Sequence, residues 1–124
     1  MFTRNVEKIE KTYKEAKLID ENEKVEKWIQ ATKRSKMLFL NTYAKSESIY
    51  TNKNILLATG MFEVIKVPYA SIISITTSKM YFVFDMIMEI TYTDETGKTK
   101  KIAYATQKRD ELIKYIEEKK KENS

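Results

Sequence analysis

Residues 48–75, SIYTNKNILLATGMFEVIKVPYASIISI, decide the fold. Short apolar runs at 49–50, 55–58 and 62–67 are separated by turn chemistry. Asn52 and Asn54 tolerate turn backbone angles, and Gly60 closes the next turn. Pro68 is the only proline, and it falls between strands, where no ladder N–H is required. A Pro-Tyr step then leads into a further apolar run at 72–76. The stretch predicts successive short antiparallel strands rather than a helix.

Working toward the C-terminus, Met80, Phe82, Phe84, Met86, Met88, Ile90 and Tyr92 alternate with Tyr81, Val83, Asp85, Ile87, Glu89 and Thr91. Period-2 patterning of this kind predicts one long strand over 80–93. Met80, Met86 and Met88 are expected to fill the core, the alternative being an adaptable ligand groove. Residues 94–98 form the next hairpin turn, with Gly97 at its positive-φ position. Ile102 and Tyr104 give the returning strand its inward face. Thr106 is expected to cap a helix whose apolar stripe is Leu112, Ile113 and Ile116. Residues 119–124 read as a frayed basic tail.

Toward the N-terminus, residues 25–31 suit a strand with Trp28 and Ile29 for bulk, and KRSK at 33–36 reads as a polar turn. A second strand is expected over 37–43, with a polar break at 45–47. Ahead of these, Phe2, Val6, Ile9, Tyr13 and Ala16 stand at alternating spacings of four and three on a charged helix. The stripe must be buried, either on its own domain or against a partner, because so short a helix is unstable alone.

Composition narrows the function. The 124 residues suffice for one core. The longest apolar run, 80–84, is far below the roughly 20 residues of a spanning helix, and no secretory signal is visible at the N-terminus. The expected location is the cytoplasm, or the inner face of a membrane as a peripheral protein. The chain has neither cysteine nor histidine, which removes disulfides, thiolate and imidazole metal sites and histidine-based catalysis. With glycine only at 60 and 97, no phosphate-cradling loop can be built. We expect no catalytic centre, no cofactor and no metal.

The net charge of +5 is uneven. Residues 1–34 hold nine Lys/Arg against seven Asp/Glu, residues 35–97 five against six, and residues 98–124 nine against five. The positive excess therefore lies mainly at the C-terminal end.

Val25, the run Ile49-Tyr-Thr-Asn-Lys53-Asn-Ile-Leu-Leu57 and the step Lys66-Val-Pro-Tyr-Ala-Ser-Ile72 together resemble the bacterial pleckstrin-homology-like domains. LIDENEKVE at 18–26 is similar to the Glu-x-Val entry that often opens such domains. Asn54 stands where that family usually carries arginine. The resemblance spans residues 18–118. It implies a mainly β fold: a bent antiparallel sandwich or half-open barrel of about seven strands, an N-terminal amphipathic helix over 1–17 and a C-terminal capping helix. Tyr69 is then a packed anchor at a strand corner.

The resemblance implies a non-enzymatic binding module, acting through protein–protein interaction or homo-oligomeric assembly. The candidate interaction residues are Phe2, Val6, Ile9 and Tyr13, and the 80–93 strand face with Tyr81, Val83 and Ile87 is a second apolar candidate. The alternative is peripheral binding of anionic membrane lipids through Lys33, Arg34 and Lys36, each basic group adding about 1 kcal/mol near a charged bilayer. Nucleic acid is the weakest partner class. Its contacts would be Lys98, Lys100, Lys101, Lys108 and Arg109, a patch interrupted by Asp110, Glu111, Glu117 and Glu118.

Overall fold

The computed structural model describes residues 5–37, 40–60, 63–81 and 83–124, with the backbone alone at Lys36 and Met37. Helix α1 (Val6–Glu15) precedes strands β1 (Val25–Met37), β2 (Leu40–Thr51), β3 (Asn54–Thr59) and β4 (Glu63–Pro68). A 3-10 turn (Tyr69–Ser71) leads to β5 (Ile72–Met80), β6 (Phe84–Thr93), β7 (Thr99–Ala105) and helix α2 (Arg109–Glu122). All seven strands form one antiparallel sheet in the order β4-β3-β2-β1-β7-β6-β5. The fold is mainly β with a helix at each end, as the sequence implied.

Two meanders, β1–β4 and β5–β7, are joined where β1 meets β7. That junction is short: Thr32, Lys33 and Arg34 pair with Ala105, Tyr104 and Ala103. The sheet bends so that its inner faces meet, and Tyr50 of β2 shares a 2.9 Å hydrogen bond with Tyr104 of β7. Around this pair pack Ile55, Leu57, Val67, Met88 and Ile90, closed by Leu112 and Ile116 of α2. Tyr69 is fully buried and donates its hydroxyl to Thr51 O at 2.8 Å.

A second core lies on the outer face. Leu56 and Ile49 are covered there by Ile9 and Tyr13 of α1, with Ile19 and Val25. Buried on both faces, β3 reads as a continuous apolar run instead of an alternating one. Asn5 caps α1, its Oδ1 accepting from the backbone of Glu7 at 2.8 Å and Lys8 at 3.3 Å. Burying Ile9 completely contributes about 1.5–3 kcal/mol toward docking the helix.

Five local expectations are corrected. Residues 33–36 are not a turn. They continue β1, which pairs with β2 as far as Met37↔Leu40, so the connection falls at 38–39, outside the described residues. There is also no break at 45–47, where Lys45, Ser46 and Glu47 pair with Thr32, Ala31 and Gln30. Polar side chains alternating along two paired strands had mimicked turn composition.

The strand expected over 80–93 is instead broken at its start. Tyr81 has φ 52°, the N–H of Val83 donates to Met80 O at 3.2 Å, and β5 ends as β6 begins. Nor does Thr106 cap α2. The N-cap is Lys108 at φ 54°, with no side-chain bond. Finally, residues 119–122 continue the helix instead of fraying, and Asn123 Nδ2 reaches Asn52 O at 3.1 Å.

Candidate interaction groove

The first half of β1 has a strand on only one side. Residues 25–31 pair with β2, while pairing to β7 begins at Thr32. Strand backbone groups point alternately left and right, so every second N–H and C=O of this stretch faces away from β2 toward no strand. Across from it, β6 starts before β7 can cover it. Ile87↔Ala105 is the last pair of that ladder, and the Thr106 N–H donates to Met86 O at 3.1 Å. The chain then turns through Lys108 into α2.

Because β1 and β6 diverge, a groove opens between them. Its first part, about 410 Å³, is lined by Ile29, Ala31, Met80, Phe84, Met86 and Thr106. Its second part, about 370 Å³, runs between β1 and the start of α2, past Lys27, Trp28, Glu111 and Leu112. Ile29, Gln30 and Gln107 line both parts, so the groove is continuous along the open edge of β1. The hydroxyl of Thr106 is buried in its wall with no hydrogen-bond partner among the described residues.

Polar contacts fix both flanks. Farther along α2, Tyr115 donates to Glu26 at 2.5 Å and Lys119 Nζ lies 2.6 Å from the same oxygen, which draws the helix onto β1. Burial pushes the Glu26 carboxyl up, but the hydrogen bonds from Lys119 and Tyr115 outweigh it and hold the group below its ordinary value. At the start of α2, the buried Arg109 places Nη1 2.6 Å from Asp85 and 3.3 Å from Ile87 O, with Nη2 3.0 Å from Asp110. The Arg109 hydrogen bond lowers the Asp85 carboxyl, and the same bond raises the guanidinium.

An apolar rim flanks the groove. Tyr81, Val83 and Phe84 at the β5–β6 tip are 58%, 70% and 54% exposed, and Leu40 at the β1–β2 tip is 72% exposed. The two hairpins touch through Tyr43 and Tyr81, whose rings lie 5.0 Å apart. Phe84 belongs both to this rim and to the groove wall.

Of the apolar strand face singled out from the sequence, Tyr81 and Val83 stand on this rim, whereas Ile87 is fully buried against Ala103 and Ala105. The other residues singled out are not brought together here. Phe2 lies outside the described residues. Ile9 and Tyr13 are buried within their own chain and Val6 packs beside them, so α1 uses this stripe in cis. Lys33 and Arg34, as neighbours in one strand, are directed to different partners: Lys33 pairs with Glu63, and Arg34 with Glu89 at 3.1 Å and Ser78 at 3.3 Å. The side chain of Lys36 lies outside the described residues. At the basic C-terminal end, Lys100 pairs with Asp94 at 3.1 Å, Lys101 with Glu89 at 3.8 Å, and Arg109 is buried.

Sequence reasoning missed Phe84 as a site residue and preferred core filling to a ligand groove for the methionines. Met88 is core, whereas Met80 and Met86 pack beside the buried Ile87, Ala103 and Ala105 and also line the groove. The available signal was the apolar composition of residues 37–40 (MLFL) and 80–84 (MYFVF), which hold hairpin connections without glycine, proline or asparagine.

Among the described residues no group of acidic side chains is arranged to hold a metal ion, and no helix is long and apolar enough to cross a membrane. No family model and no curated protein matches the chain. Among solved structures, the chain is similar to a crystal structure described as the C-terminal domain of an unknown protein from Leishmania infantum. The TM-score is 0.64 at 14% identity, covering 93% of this chain and 97% of that one. At that identity the likeness concerns the fold.

Proposed function

We propose that the chain is a non-enzymatic, pleckstrin-homology-like binding module that works by protein–protein contact at the β5–β6 tip and its groove. One observation carries this reading: Tyr81, Val83, Phe84 and Leu40 stand exposed on two touching hairpins. Apolar side chains gathered at hairpin tips lower solubility and add nothing to either core, which is the signature of an interaction surface. Among the described residues the helical stripe supplies no such surface, because α1 spends Ile9 and Tyr13 on its own sheet.

A photo-crosslinking amino acid at Val83, 70% exposed, tests the reading in cells. Adducts with polypeptides are expected. Absence of polypeptide adducts from this position, with adducts at a control site on α1, counts against it.

The membrane reading has its own observation, since Lys36 and Lys79 stand beside the two apolar tips in the sequence. Sedimentation of the whole chain with phosphatidylglycerol vesicles at low salt checks it. Recovery of all the protein in the supernatant dismisses the membrane role.

A further inference from the structure

We infer that the groove takes an extended segment of a partner polypeptide, which adds as a strand to the open edge of β1 beside Phe84. The inference rests on the protein-contact reading and names the chemistry of the partner.

Residues 26–31 present alternate backbone N–H and C=O groups that neither β2 nor β7 occupies, the Val25 N–H before them being taken by Glu10 Oε1 at 2.8 Å. Such an edge is a template for another backbone. Two further features distinguish it from an ordinary sheet edge. It is sunk in a groove instead of lying on the outside of the sheet, between the sheet and α2. And Thr106, a wall residue only 2% exposed, has a buried hydroxyl with no hydrogen-bond partner among the described residues. A buried hydroxyl left this way costs free energy, so this part of the wall is imperfectly satisfied in the free chain.

The walls specify the partner's side chains. Ile29 and Ala31 belong to the inner face of β1, and Met80, Phe84 and Met86 face them across the groove. A strand laid along β1 would direct every second side chain onto this apolar surface and the others toward Gln30 and Gln107. At about 3.3 Å per residue, roughly five or six residues fill the open edge. Methionine and an exposed phenylalanine suit a site that accepts several apolar shapes. The ligand class is therefore a short extended peptide with apolar residues at alternate positions.

The test uses the full chain and a phage-displayed library of random decapeptides. Sequences with period-2 apolar residues should be enriched, and the selected peptide should slow amide exchange at 26–31. Phe84 is 54% exposed, so Phe84→Asp should leave the fold intact and weaken the peptide roughly tenfold or more. The peptide's own backbone gives a second readout that needs no protein variant. N-methylation of its amides at one parity should weaken binding about tenfold, and at the other parity much less, since only one set faces β1.

Equal sensitivity at both parities, or protection at β4 or β5 in place of β1, overturns strand addition. Failure to enrich any peptide also overturns it. If Val83 still crosslinks to polypeptides in that case, the protein-contact reading survives and only the strand mode falls. A dimer of the unvaried chain at micromolar concentration that Phe84→Asp converts to monomer would assign the groove to a second copy instead. Phe84-dependent capture by phosphatidylglycerol vesicles, with no peptide selected, would assign the rim to a membrane.

Discussion

The carboxylate of Glu23 accepts a hydrogen bond from the Asn54 side chain at 2.8 Å, with both residues buried. The same carboxylate accepts from the hydroxyl of Thr51 and, at 3.2 Å, from the backbone of Asp20. Thr51 in turn takes the backbone N–H groups of Lys53 at 3.0 Å and Asn54 at 2.8 Å, closing the turn between β2 and β3. Asn52 fastens the entry to β1 through Lys24 N at 2.8 Å. The Thr-Asn-Lys-Asn turn that stands out in the sequence is thus a structural lock between the N-terminal segment and the sheet.

Glu23→Ala should cost about 2–3 kcal/mol, because it strands the buried Asn54 amide and leaves the Thr51 hydroxyl only its longer bond to Asn54 O at 3.3 Å. Asn54→Ala should cost about 1–3 kcal/mol, since the carboxylate keeps its other bonds. Urea unfolding of both variants measures the difference. Equal stability to the parent would mean that the network contributes nothing net.

Ile9→Ala should destabilise the chain by about 2–5 kcal/mol, as expected for a fully buried side chain whose loss leaves a cavity under α1. Peptide affinity in the groove should stay unchanged, because Ile9 and the groove belong to different faces. A change in subunit mass with no change in stability would show that α1 joins subunits instead.

Arg109→Ala should destabilise by about 1–3 kcal/mol, mainly by taking the donor from the buried carbonyl of Ile87 where β6 leaves β7, whereas Asp85, its side chain 60% exposed, turns to water. Amide exchange should quicken in α2 and the first residues of β6 before it does elsewhere. Arg109→Lys should restore only part of the loss, because one ammonium cannot replace a fork that reaches Asp85 and Asp110 at once.

The pH dependence has two limbs. Burial raises the phenols of Tyr50, Tyr69, Tyr104 and Tyr115 above their ordinary 10.0, so the folded chain keeps protons that the unfolded chain releases. Their contribution is intact below pH 10 and is lost as the pH climbs above it. Tyrosinate absorbance should therefore rise in the same transition that abolishes the circular dichroism of the sheet. Ionisation of all eight tyrosines with the fold intact would contradict this. On the acid side, the carboxyls of Glu10 and Asp85 are lowered by hydrogen bonds from the Val25 backbone and from Arg109. Their contribution is full above their ordinary values of 4.5 and 3.8 and declines as the pH falls below them.

By itself the sequence determined the mainly β class, the order of most strands, the terminal helices and the structural role of Tyr69. These rest on period-2 alternation, on the Thr-Asn-Lys-Asn turn and on Pro68, all local signals that survive in any tertiary setting. Only the tertiary structure decided where the polar and apolar exceptions go. Lys33 and Arg34 looked like a turn because strand register was unknown; pairing sends them to Glu63 and Glu89. The connections at 38–39 and 81–83 were read through as strand because they carry apolar residues where turns normally carry polar ones. A side chain's hydrophobicity reports that it avoids water, but not whether its own core or another molecule provides the cover. Ile9 finds that cover within the chain; Val83 and Phe84 do not. That distinction depends on which surfaces the folded sheet leaves open, and the opening beside β1 exists only because β7 ends where it does.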